Sequence, residues 1–556
     1  MTRRFPLFAF LLAFAAPVLA QPGYDASRMA ELIPVGGPQR NIVDNLHAEG
    51  DTLWAGQQLT FTPDGGQSWL LVEDPALTPP IAPNAITFSI DVEGDDVWVG
   101  LGFSDASIAS RPQSAAGFAY SEDGGDSWRY VFPQLDQPED SLVVYGVSVL
   151  PALPVIVPQQ SPPFDIDYDP VTRDVWVAGW ASGIRKLEWL EEENRYAADF
   201  ERVVLPPDTL DSITPIQPYN FVYAPEIQDA EEGNNFLGFS VLVDETGTVW
   251  AGTVAGVNRS RPEDVFTLVL SDSTGMPIDT LVDRAWTRTG FDGTSDGLPG
   301  NWVISIEEQP VGDPAFEVGT AENPRNPVWM AVWRAREEGE RFALAVTRDG
   351  GETFEPALLG GGRFYDVAFC PETATYCGPG TVYAAGAEGL FISDDDGATW
   401  RSVRDFQDRD RPGRFVSSDA SAFAVATTAE GLWVGTGDGL IKSTDGGATW
   451  TIFRTDVPTN PEMPTDETPE VEAYAYPNPF SPSADRYVRI RYDRPAASIR
   501  IFDFGMNLVR TIANAAPTEQ VWDGYDDDGN RVANGVYFYE VDAGGESLTG
   551  KILVLE

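Results

Sequence analysis

One nine-residue pattern, present in five copies, constrains the fold of this 556-residue chain more than any other feature. Each copy has Ser or Thr, Asp two positions later, Gly two positions after the Asp, another Ser or Thr, and then an aromatic residue, as in KSTDGGATW ending at Trp450. A short acidic side chain can accept hydrogen bonds from the backbone N–H groups of a tight turn, and glycine adopts the positive φ angles that such turns need. We therefore interpret the five acidic residues as structural turn residues: Asp64, Asp123, Asp349, Asp395 and Asp445.

A second motif, an aromatic residue between branched and small residues, recurs seven times at intervals of 44 to 79 residues. Its aromatic positions are Trp54, Trp98, Trp176, Trp250, Trp329, Tyr383 and Trp433. Short alternating runs around each copy predict units of four antiparallel strands. Such a unit cannot bury both of its faces alone, so units of this period stack in a ring. The sequence predicts an all-β, seven-bladed β-propeller over residues 21–455, with the repeated aromatic residues packed between blades.

The acidic turns resemble the Asp-box, or bacterial neuraminidase repeat, of sialidases, sortilin-type receptors and photosystem assembly propellers. In those families the motif lies on the rim, away from the active site, so the resemblance implies a structural role. The third and fourth units depart from the pattern, because SGIRKLEW and AGVNRSRPEDVF keep the strand but lack the acidic turn.

The first twenty residues have the pattern of a secretory signal peptide. Arg3 and Arg4 precede an apolar run that ends in Val18, Leu19 and Ala20, with small residues at the positions that determine cleavage. A membrane anchor is the alternative, but the run is short for a span of about 20 residues. No later segment is apolar enough to span either, so we expect an exported protein that is secreted or held at the cell surface.

Charge and cysteine content limit the partners and cofactors. The net charge of −50 disfavours binding to nucleic acid or to anionic membranes. Cys370 and Cys377 lie close together in an exported chain, so we predict a local disulfide, with two free buried thiols as the alternative. A metal site is disfavoured because the single histidine, His47, is distant in sequence, and the acidic segment 523–530 lacks the spacing of a calcium loop. No phosphate-binding loop is present, so we predict no cofactor.

The chain changes character after the seventh unit. Residues 456–470 are rich in Pro, Thr and carboxylates, which is typical of a semi-extended linker. Residues 471–556 contain alternating runs separated by turn clusters, which predict a small antiparallel β-sandwich.

Residues 471–556 closely resemble the immunoglobulin-like C-terminal sorting domain of type IX secretion cargo, and they are similar to a fold appended to flagellar hook-capping proteins. The resemblance rests on YPNPF at 476–480, on residues 522–541 and on the last strand from Lys551. It implies that the secretion machinery is a partner and that the protein crosses the outer membrane, to be released or tethered.

Three long segments, 132–165, 205–236 and 271–300, are predicted to connect one blade to the next and to project from the same face. Long loops on a rigid scaffold often carry binding sites. Their aromatic residues are the candidate ligand-binding residues for a polysaccharide or a protein: Tyr145, Tyr219, Phe221, Tyr223 and Trp286. The alternative is that these segments are acidic, Pro-rich surface insertions without a ligand.

Three functions remain open from the sequence. We favour an exported binding or scaffold protein without catalytic residues. The alternative is a sialidase-like or glucanase-like glycoside hydrolase that uses two carboxylates on the insertion-bearing face. Sialidases carry an Arg-Ile-Pro-type motif before the first Asp-box, whereas this chain has AELIPVGGPQRN with no Arg before the Pro. A structural role in a surface layer or in adhesion is the third possibility.

Overall fold

The fold is built almost wholly of β-strands. A computed structural model of the chain describes residues 29–105, 107–108, 111–223, 234–271, 277–311, 325–335, 337–360, 362–410, 415–416, 420–454, 473–482, 487–492, 498–513, 515, 519–542 and 547–555. The predicted signal peptide (1–20) and linker (456–470) lie outside the described residues, and the domain boundaries stay predictions. None of the helices in the described residues is long and apolar enough to cross a membrane.

The first two sheets and a following hairpin occupy residues 31–151. Sheet 1 has the strand order β1-β5-β4-β3-β2, sheet 2 the order β6-β7-β8-β9, and β10 pairs with β11 alone. Their bounds are β1 (Glu31–Val35), β2 (Leu46–Glu49), β3 (Thr52–Ala55), β4 (Thr60–Thr62), β5 (Trp69–Glu73), β6 (Ile86–Glu93), β7 (Asp96–Ser104), β8 (Gln113–Ser121), β9 (Arg129–Val131), β10 (Leu142–Tyr145) and β11 (Ser148–Pro151).

Sheets 3 and 4 each contain an inserted hairpin. Sheet 3 has the order β12-β13-β14-β17 with hairpin β15-β16, and sheet 4 the order β18-β24-β21-β20-β19 with hairpin β22-β23. Their bounds are β12 (Pro163–Tyr168), β13 (Val175–Gly179), β14 (Gly183–Leu187), β15 (Trp189–Leu190), β16 (Arg195–Tyr196), β17 (Glu201–Arg202), β18 (Ser212–Ile213), β19 (Gly238–Val243), β20 (Val249–Thr253), β21 (Gly256–Ser260), β22 (Val265–Ser271), β23 (Pro277–Arg284) and β24 (Trp286–Thr289). Two short 3₁₀ helices span Asn234–Phe236 and Pro262–Asp264.

Sheets 5, 6 and 7 are regular four-stranded sheets in chain order, with a short hairpin, β33-β34, between the last two. Their bounds are β25 (Trp302–Glu308), β26 (Val328–Trp333), β27 (Ala343–Thr347), β28 (Glu355–Leu359), β29 (Phe364–Phe369), β30 (Val382–Gly386), β31 (Gly389–Ser393), β32 (Arg401–Val403), β33 (Phe406–Gln407), β34 (Phe415–Val416), β35 (Ala422–Thr428), β36 (Gly431–Thr436), β37 (Gly439–Ser443) and β38 (Thr451–Phe453).

These sheets close into a ring. Their first strands, β2, β6, β12, β19, β25, β29 and β35, adjoin one another in that order, and β35 adjoins β2. Backbone bonds close the last junction, since Val43 N–H donates to the Thr436 carbonyl at 3.0 Å and Gly439 N–H donates to the Asn41 carbonyl at 2.7 Å. The predicted all-β propeller class is therefore confirmed. We call the end of the ring where each first strand begins the upper face, and the end where each third strand ends the lower face.

The glycine two positions after the Asp of each acidic turn packs closely against the sheet before it. A Cβ atom on Gly125 would lie 2.7 Å from Cη2 of Trp54, and one on Gly66 would lie 2.7 Å from Cη2 of Trp433. Both glycines have positive φ, 96° and 93°. Gly351 and Gly397 meet the rings of Trp250 and Trp329 in the same way, and Gly447 meets Ile392. In four of the five turns, the two repeated motifs thus form the two sides of one contact between neighbouring sheets.

The inner edges of the sheets are joined by polar side chains. At the junction of sheets 3 and 4, the Val241 and Val243 N–H groups donate to the carboxylates of Asp165 and Asp167 at 2.9 and 3.2 Å. Further bonds of this kind run from Tyr168 N–H to Asp91 (2.6 Å), from Ser89 Oγ to the Pro163 carbonyl (3.1 Å), from Ser240 Oγ to the Val303 carbonyl (3.2 Å) and from Val425 N–H to Asp366 (2.8 Å). Backbone groups that face the axis are satisfied in this way.

The predicted disulfide is confirmed. Cys370 and Cys377 are bonded, with Cα atoms 5.9 Å apart, and they bracket the turn between β29 and β30. The bond closes a short loop on the lower side of sheet 6.

The C-terminal residues form two facing sheets. One has the order β39-β40-β43 and the other β42-β41-β44-β45, with one shared apolar core. Their bounds are β39 (Ala473–Tyr476), β40 (Val488–Tyr492), β41 (Ser498–Phe502), β42 (Leu508–Ala513), β43 (Glu519–Trp522), β44 (Gly535–Asp542) and β45 (Ser547–Val554). The YPNPF segment is attached to the last strand, because Phe480 N–H donates to the Leu553 carbonyl at 2.8 Å and Asn478 Nδ2 donates to the Lys551 carbonyl at 2.9 Å.

Candidate functional site

The acidic turns lie on the lower face, and their carboxylates are engaged within their own turns. Asp123 accepts hydrogen bonds from Ser127 N–H (2.8 Å), Ser127 Oγ (2.6 Å) and Ser121 Oγ (2.7 Å), and Gly125 N–H donates to Ser121 Oγ (2.8 Å). The same bonds recur around Asp64, Asp349, Asp395 and Asp445. The hydroxyl of Ser68 holds the pKa of Asp64 below its ordinary value. This bonding accounts for the carboxylates as turn residues, while membership of the Asp-box family stays a prediction.

The structure brings the five predicted ligand-binding residues together, but as packing partners. They share one apolar cluster between sheets 3 and 4. Tyr145 and Tyr223 are 1% exposed and Trp286 is 2% exposed, whereas Tyr219 and Phe221 are only partly buried. A role in ligand binding stays a prediction for these residues, and only Tyr219 and Phe221 present enough surface for it.

One of the three insertions is wrongly placed by the sequence analysis. Residues 132–162 and 203–237 do run from the last strand of one sheet to the first strand of the next. In sheet 4, however, Trp286 begins β24, which pairs with β21 through Val257 and Thr289. The insertion before it, 261–285, therefore connects the third and fourth strands and leaves the lower face. Spacing alone could not separate these two kinds of connection.

The upper face carries aromatic residues that the sequence analysis missed. Six of the seven first strands contain a β-bulge near their start, and the extra residue is aromatic in five of them: Phe88, Phe164, Phe239, Tyr365 and Phe423, with Ile304 in sheet 5. All are half-buried. We define the aromatic collar as these five aromatic residues together with Trp180, Trp302, Trp333 and Phe342, which lie at strand ends on the same face.

Ring contacts join the collar residues into two groups, one over sheets 3 to 5 and one over sheets 5 to 7. Phe239 lies 6.1 Å from Phe164, 5.3 Å from Trp180 and 5.6 Å from Trp302, measured between ring centroids. Tyr365 lies 5.6 Å from Trp333 and 5.4 Å from Phe423. The bulges explain this arrangement, because an extra residue leaves the alternation of the strand and projects at its end. For four of the five bulge residues, the signal in the sequence is an aromatic residue immediately before Ser or Asp at the start of a first strand, as in TFSID and PFDID, whereas Phe423 precedes Ala424.

Carboxylates follow the collar along the inner strands. Burial raises the pKa of Asp165 to about 7 and the pKa of Asp366 to about 7, although each also accepts a backbone hydrogen bond from the next sheet. Burial and neighbouring carboxylates together raise the pKa of Glu307 well above its ordinary value. No group of three or more His, Cys, Asp or Glu side chains in the described ranges is arranged to hold a metal ion.

A separate cavity of about 540 Å³ lies between sheets 1 and 2. Its wall includes Arg40, Gln57, Asn84 and Leu101. Gln57 donates from Nε2 to Asp44 at 3.0 Å, and burial raises the pKa of Asp44. None of the five predicted ligand-binding residues lines this cavity.

Comparisons with known proteins give only distant similarities. No family model matches the chain. The vacuolar protein sorting/targeting protein 10 of Aspergillus clavatus is 25% identical over 245 residues, which are 39% of this chain and 15% of that protein. The chain thus spans a small part of this sortilin-like relative, and the similarity does not establish a family.

Solved structures resemble the chain only distantly. PorZ of Porphyromonas gingivalis, an essential surface component of the type IX secretion system, aligns with a TM-score of 0.41 at 14% identity over 92% of this chain and 66% of PorZ. The GH74 enzyme of Niastella koreensis aligns with a TM-score of 0.44 at 11% identity over 94% of this chain and 74% of the enzyme. Similarity at this level carries no argument about function.

Proposed function

We propose that this is an exported protein whose propeller binds a ligand on its upper face and acts as a binding or scaffold module. The observation that carries the proposal is the aromatic collar, a set of half-buried rings at the upper ends of sheets 2 to 7. Ligand sites are concave and predominantly aromatic or apolar, with a few polar groups that fix orientation. A rigid ring of sheets holds such rings in fixed positions, which reduces the entropy lost on binding.

The bonding of the carboxylates favours binding over catalysis. Asp91, Asp165, Asp167 and Asp366 each accept a backbone N–H from the neighbouring sheet, so these carboxylates have a structural partner. The turn carboxylates are bonded within their turns on the opposite face. A general acid and base would instead need to face the substrate from both sides of the scissile bond.

Glycoside hydrolysis is the second candidate function. Asp165 follows Phe164 of the collar and Asp366 follows Tyr365, so two carboxylic acids with pKa values of about 7 lie next to aromatic residues. A raised pKa is the property that a general acid needs near neutral pH.

The C-terminal sandwich is proposed as the delivery module. The resemblance of residues 471–556 to type IX sorting domains rests on segments that contact one another in the fold, since the YPNPF segment is bonded to the last strand. We expect a reporter protein fused to residues 471–556 to reach the medium or the cell surface in a host that has this machinery. Retention of the reporter in the periplasm would contradict the delivery role.

Turnover and retention distinguish the two candidate functions. The full chain is incubated with a panel of sialosides and plant glucans, and the release of sugar is measured alongside retention on the same polymers when immobilised. The binding role predicts retention without release. If the full chain releases sugar, and both Asp165→Asn and Asp366→Asn abolish that release, then glycoside hydrolysis replaces the binding role as the function.

A further inference from the structure

Three rings of the collar, over sheets 3, 4 and 5, contact one another. Trp180, Phe239 and Trp302, here called the aromatic platform, lie within 6.2 Å of one another by ring centroid. Their planes are inclined by 58°, 70° and 41°, so the rings cover one another only in part. All three side chains are half-buried, which leaves part of each ring accessible from the upper face.

Charges of both signs border the collar. Below the aromatic platform lie the inner-strand carboxylates, of which Asp165 is bonded to Val241 N–H. Beside the second group of collar rings, the Arg363 guanidinium lies 4.6 Å from the Trp333 ring centroid and the Arg334 guanidinium lies 5.3 Å from that of Phe342. The overall charge of −50 would repel a strongly anionic polymer, and a cationic polymer would meet the two arginines. This distribution favours an uncharged ligand.

An uncharged ligand that packs against tilted aromatic rings needs flat apolar faces to contact the rings and polar edges to face water. A pyranose ring has both, because its axial C–H bonds form an apolar face and its equatorial hydroxyls point outward into water. Polarised C–H bonds are attracted to the negative face of an aromatic ring. A chain of pyranoses can place successive rings on successive aromatic side chains, whereas an isolated apolar molecule would use one pocket.

We propose that the aromatic platform binds the pyranose rings of a neutral polysaccharide. The inference rests on the proposed function, since it assigns a ligand class to the upper face. It places the ligand over sheets 3 to 5, and not on the apolar cluster that contains Tyr145 and Trp286.

Native gel electrophoresis in dissolved polysaccharide tests the inference on the full chain. The probes are neutral polymers (dextran, mannan, xyloglucan and mixed-linkage glucan) and anionic polymers (alginate and polygalacturonate). We expect at least one neutral polymer to retard the protein and the anionic polymers to leave its mobility unchanged. Trp180→Ala and Trp302→Ala should each weaken the retardation by about tenfold or more, as central aromatic contacts do. Phe504→Ala is the matched control, because Phe504 is an exposed aromatic residue of the C-terminal sandwich (77%) and should bind as wild type does.

Chemical footprinting tests the same assignment on the wild-type protein, so it does not depend on whether the Trp variants fold. N-bromosuccinimide oxidises accessible indoles, and peptide mapping reports each Trp separately. The retarding polymer should protect Trp180 and Trp302 and leave Trp400, near the lower face, as reactive as before.

Each outcome decides a separate point. Retardation without protection, or retardation that survives both Trp substitutions, overturns the platform assignment and leaves the proposed binding function standing. Absence of retardation by every neutral polymer also overturns the platform assignment. Protection accompanied by release of sugar keeps the platform assignment and overturns the non-catalytic function.

Discussion

Sheets 1, 2, 5, 6 and 7 have an acidic turn and sheets 3 and 4 do not, yet the aromatic contact between neighbouring sheets persists in both groups. In the first group, Trp128 lies edge-on to Trp54 of the sheet before it, with centroids 6.4 Å apart at 78°. In sheet 4, Trp286 lies edge-on to Trp176 at 6.4 Å and 71°. In sheet 3, Tyr196 of the inserted hairpin lies edge-on to Trp98 at 5.0 Å and 88°.

The comparison distinguishes the aromatic contact between neighbouring sheets, which both groups have, from the acidic turn, which only the first group has. An edge-to-face aromatic pair lies at five of the seven junctions, and at the other two an aromatic residue of each sheet lies in one shared apolar cluster. Such contacts bury a large apolar area, and edge-to-face pairs add to the stability that area alone provides. The acidic turn is one way to place the second ring, and a hairpin insertion is another. The aromatic residue is therefore the more general requirement, and Trp286 is the counterpart of Trp128.

The largest effect is expected from removing the aromatic ring where no acidic turn supports it. Trp286→Ala should lower the free energy of unfolding by about 3–5 kcal/mol, because it leaves a cavity against Trp176. Urea denaturation followed by circular dichroism measures this loss. Trp286→Phe keeps a ring at the junction and should recover most of it, and a loss of under about 1 kcal/mol for Trp286→Ala would refute the equivalence with Trp128.

The next effect tests the second glycine of an acidic turn. Gly125→Ala should cost about 2–4 kcal/mol, since its Cβ would meet the Trp54 ring at 2.7 Å and φ is +96°. Gly124→Ala is the matched control in the same turn, because φ is +70° there but the nearest atom, on Asp95, is 3.8 Å away. Equal losses in the two variants would show that backbone strain, and not the contact with Trp54, explains the glycine.

A smaller effect is expected from the turn carboxylate. Asp123→Ala removes the acceptor of the Ser127 N–H bond and should cost about 1 kcal/mol, the usual value for a side chain that caps backbone N–H groups. Asp126→Ala removes the same charge from the same turn and should cost less.

The pH dependence of the Asp123 effect has a definite sign. Burial would raise the pKa of Asp123, but hydrogen bonds from Ser127 and Ser121 outweigh it, so the pKa lies below its ordinary value. The stabilisation is therefore present above pH 3.8 and is lost as the pH falls further. A difference between wild type and Asp123→Ala that stays constant down to pH 2 would contradict this bonding.

The smallest effect concerns the junction of sheets 3 and 4, where the carboxylates of Asp165 and Asp167 accept hydrogen bonds from backbone N–H groups. Because the pKa of Asp165 is raised to about 7, its ionisation destabilises the folded state progressively from about pH 4 to pH 7. Asp165→Asn keeps an acceptor for Val241 N–H and should raise the melting temperature by about 2 °C at pH 8 and leave it unchanged at pH 4. Calorimetry at both pH values checks this, and a gain at pH 4 equal to that at pH 8 would rule out ionisation as the cause.

Local chemistry explains what the sequence predicted well. The strands around Trp433 and the turn at Asp445 follow from alternation and turn residues within one unit, and the Cys370–Cys377 bond follows from a short separation. These features depend only on neighbours along the chain.

The features that were not predicted from the sequence depend on how strands pair and on contacts between different sheets. The collar depends on bulges, which are shifts in pairing between two strands, and the carboxylate bonds of Asp165 join different sheets. Trp286 was interpreted as a ligand residue because spacing cannot show whether an insertion precedes the fourth strand or the next sheet. An aromatic residue before Ser or Asp at the start of a first strand was the signal available for four collar residues, Phe88, Phe164, Phe239 and Tyr365.

The most direct test compares the two faces in one experiment. Trp180→Ala/Trp302→Ala alters the upper face, and Asp123→Ala/Asp395→Ala alters two turns on the lower face; both are measured for melting temperature and for retardation by the polysaccharide that retards the wild-type protein. We predict that the upper-face variant stays folded at the temperature of the binding assay and loses retardation, and that the lower-face variant melts at a lower temperature than the wild-type protein with retardation intact. Loss of retardation in the folded lower-face variant, with binding retained in the upper-face variant, would contradict the account.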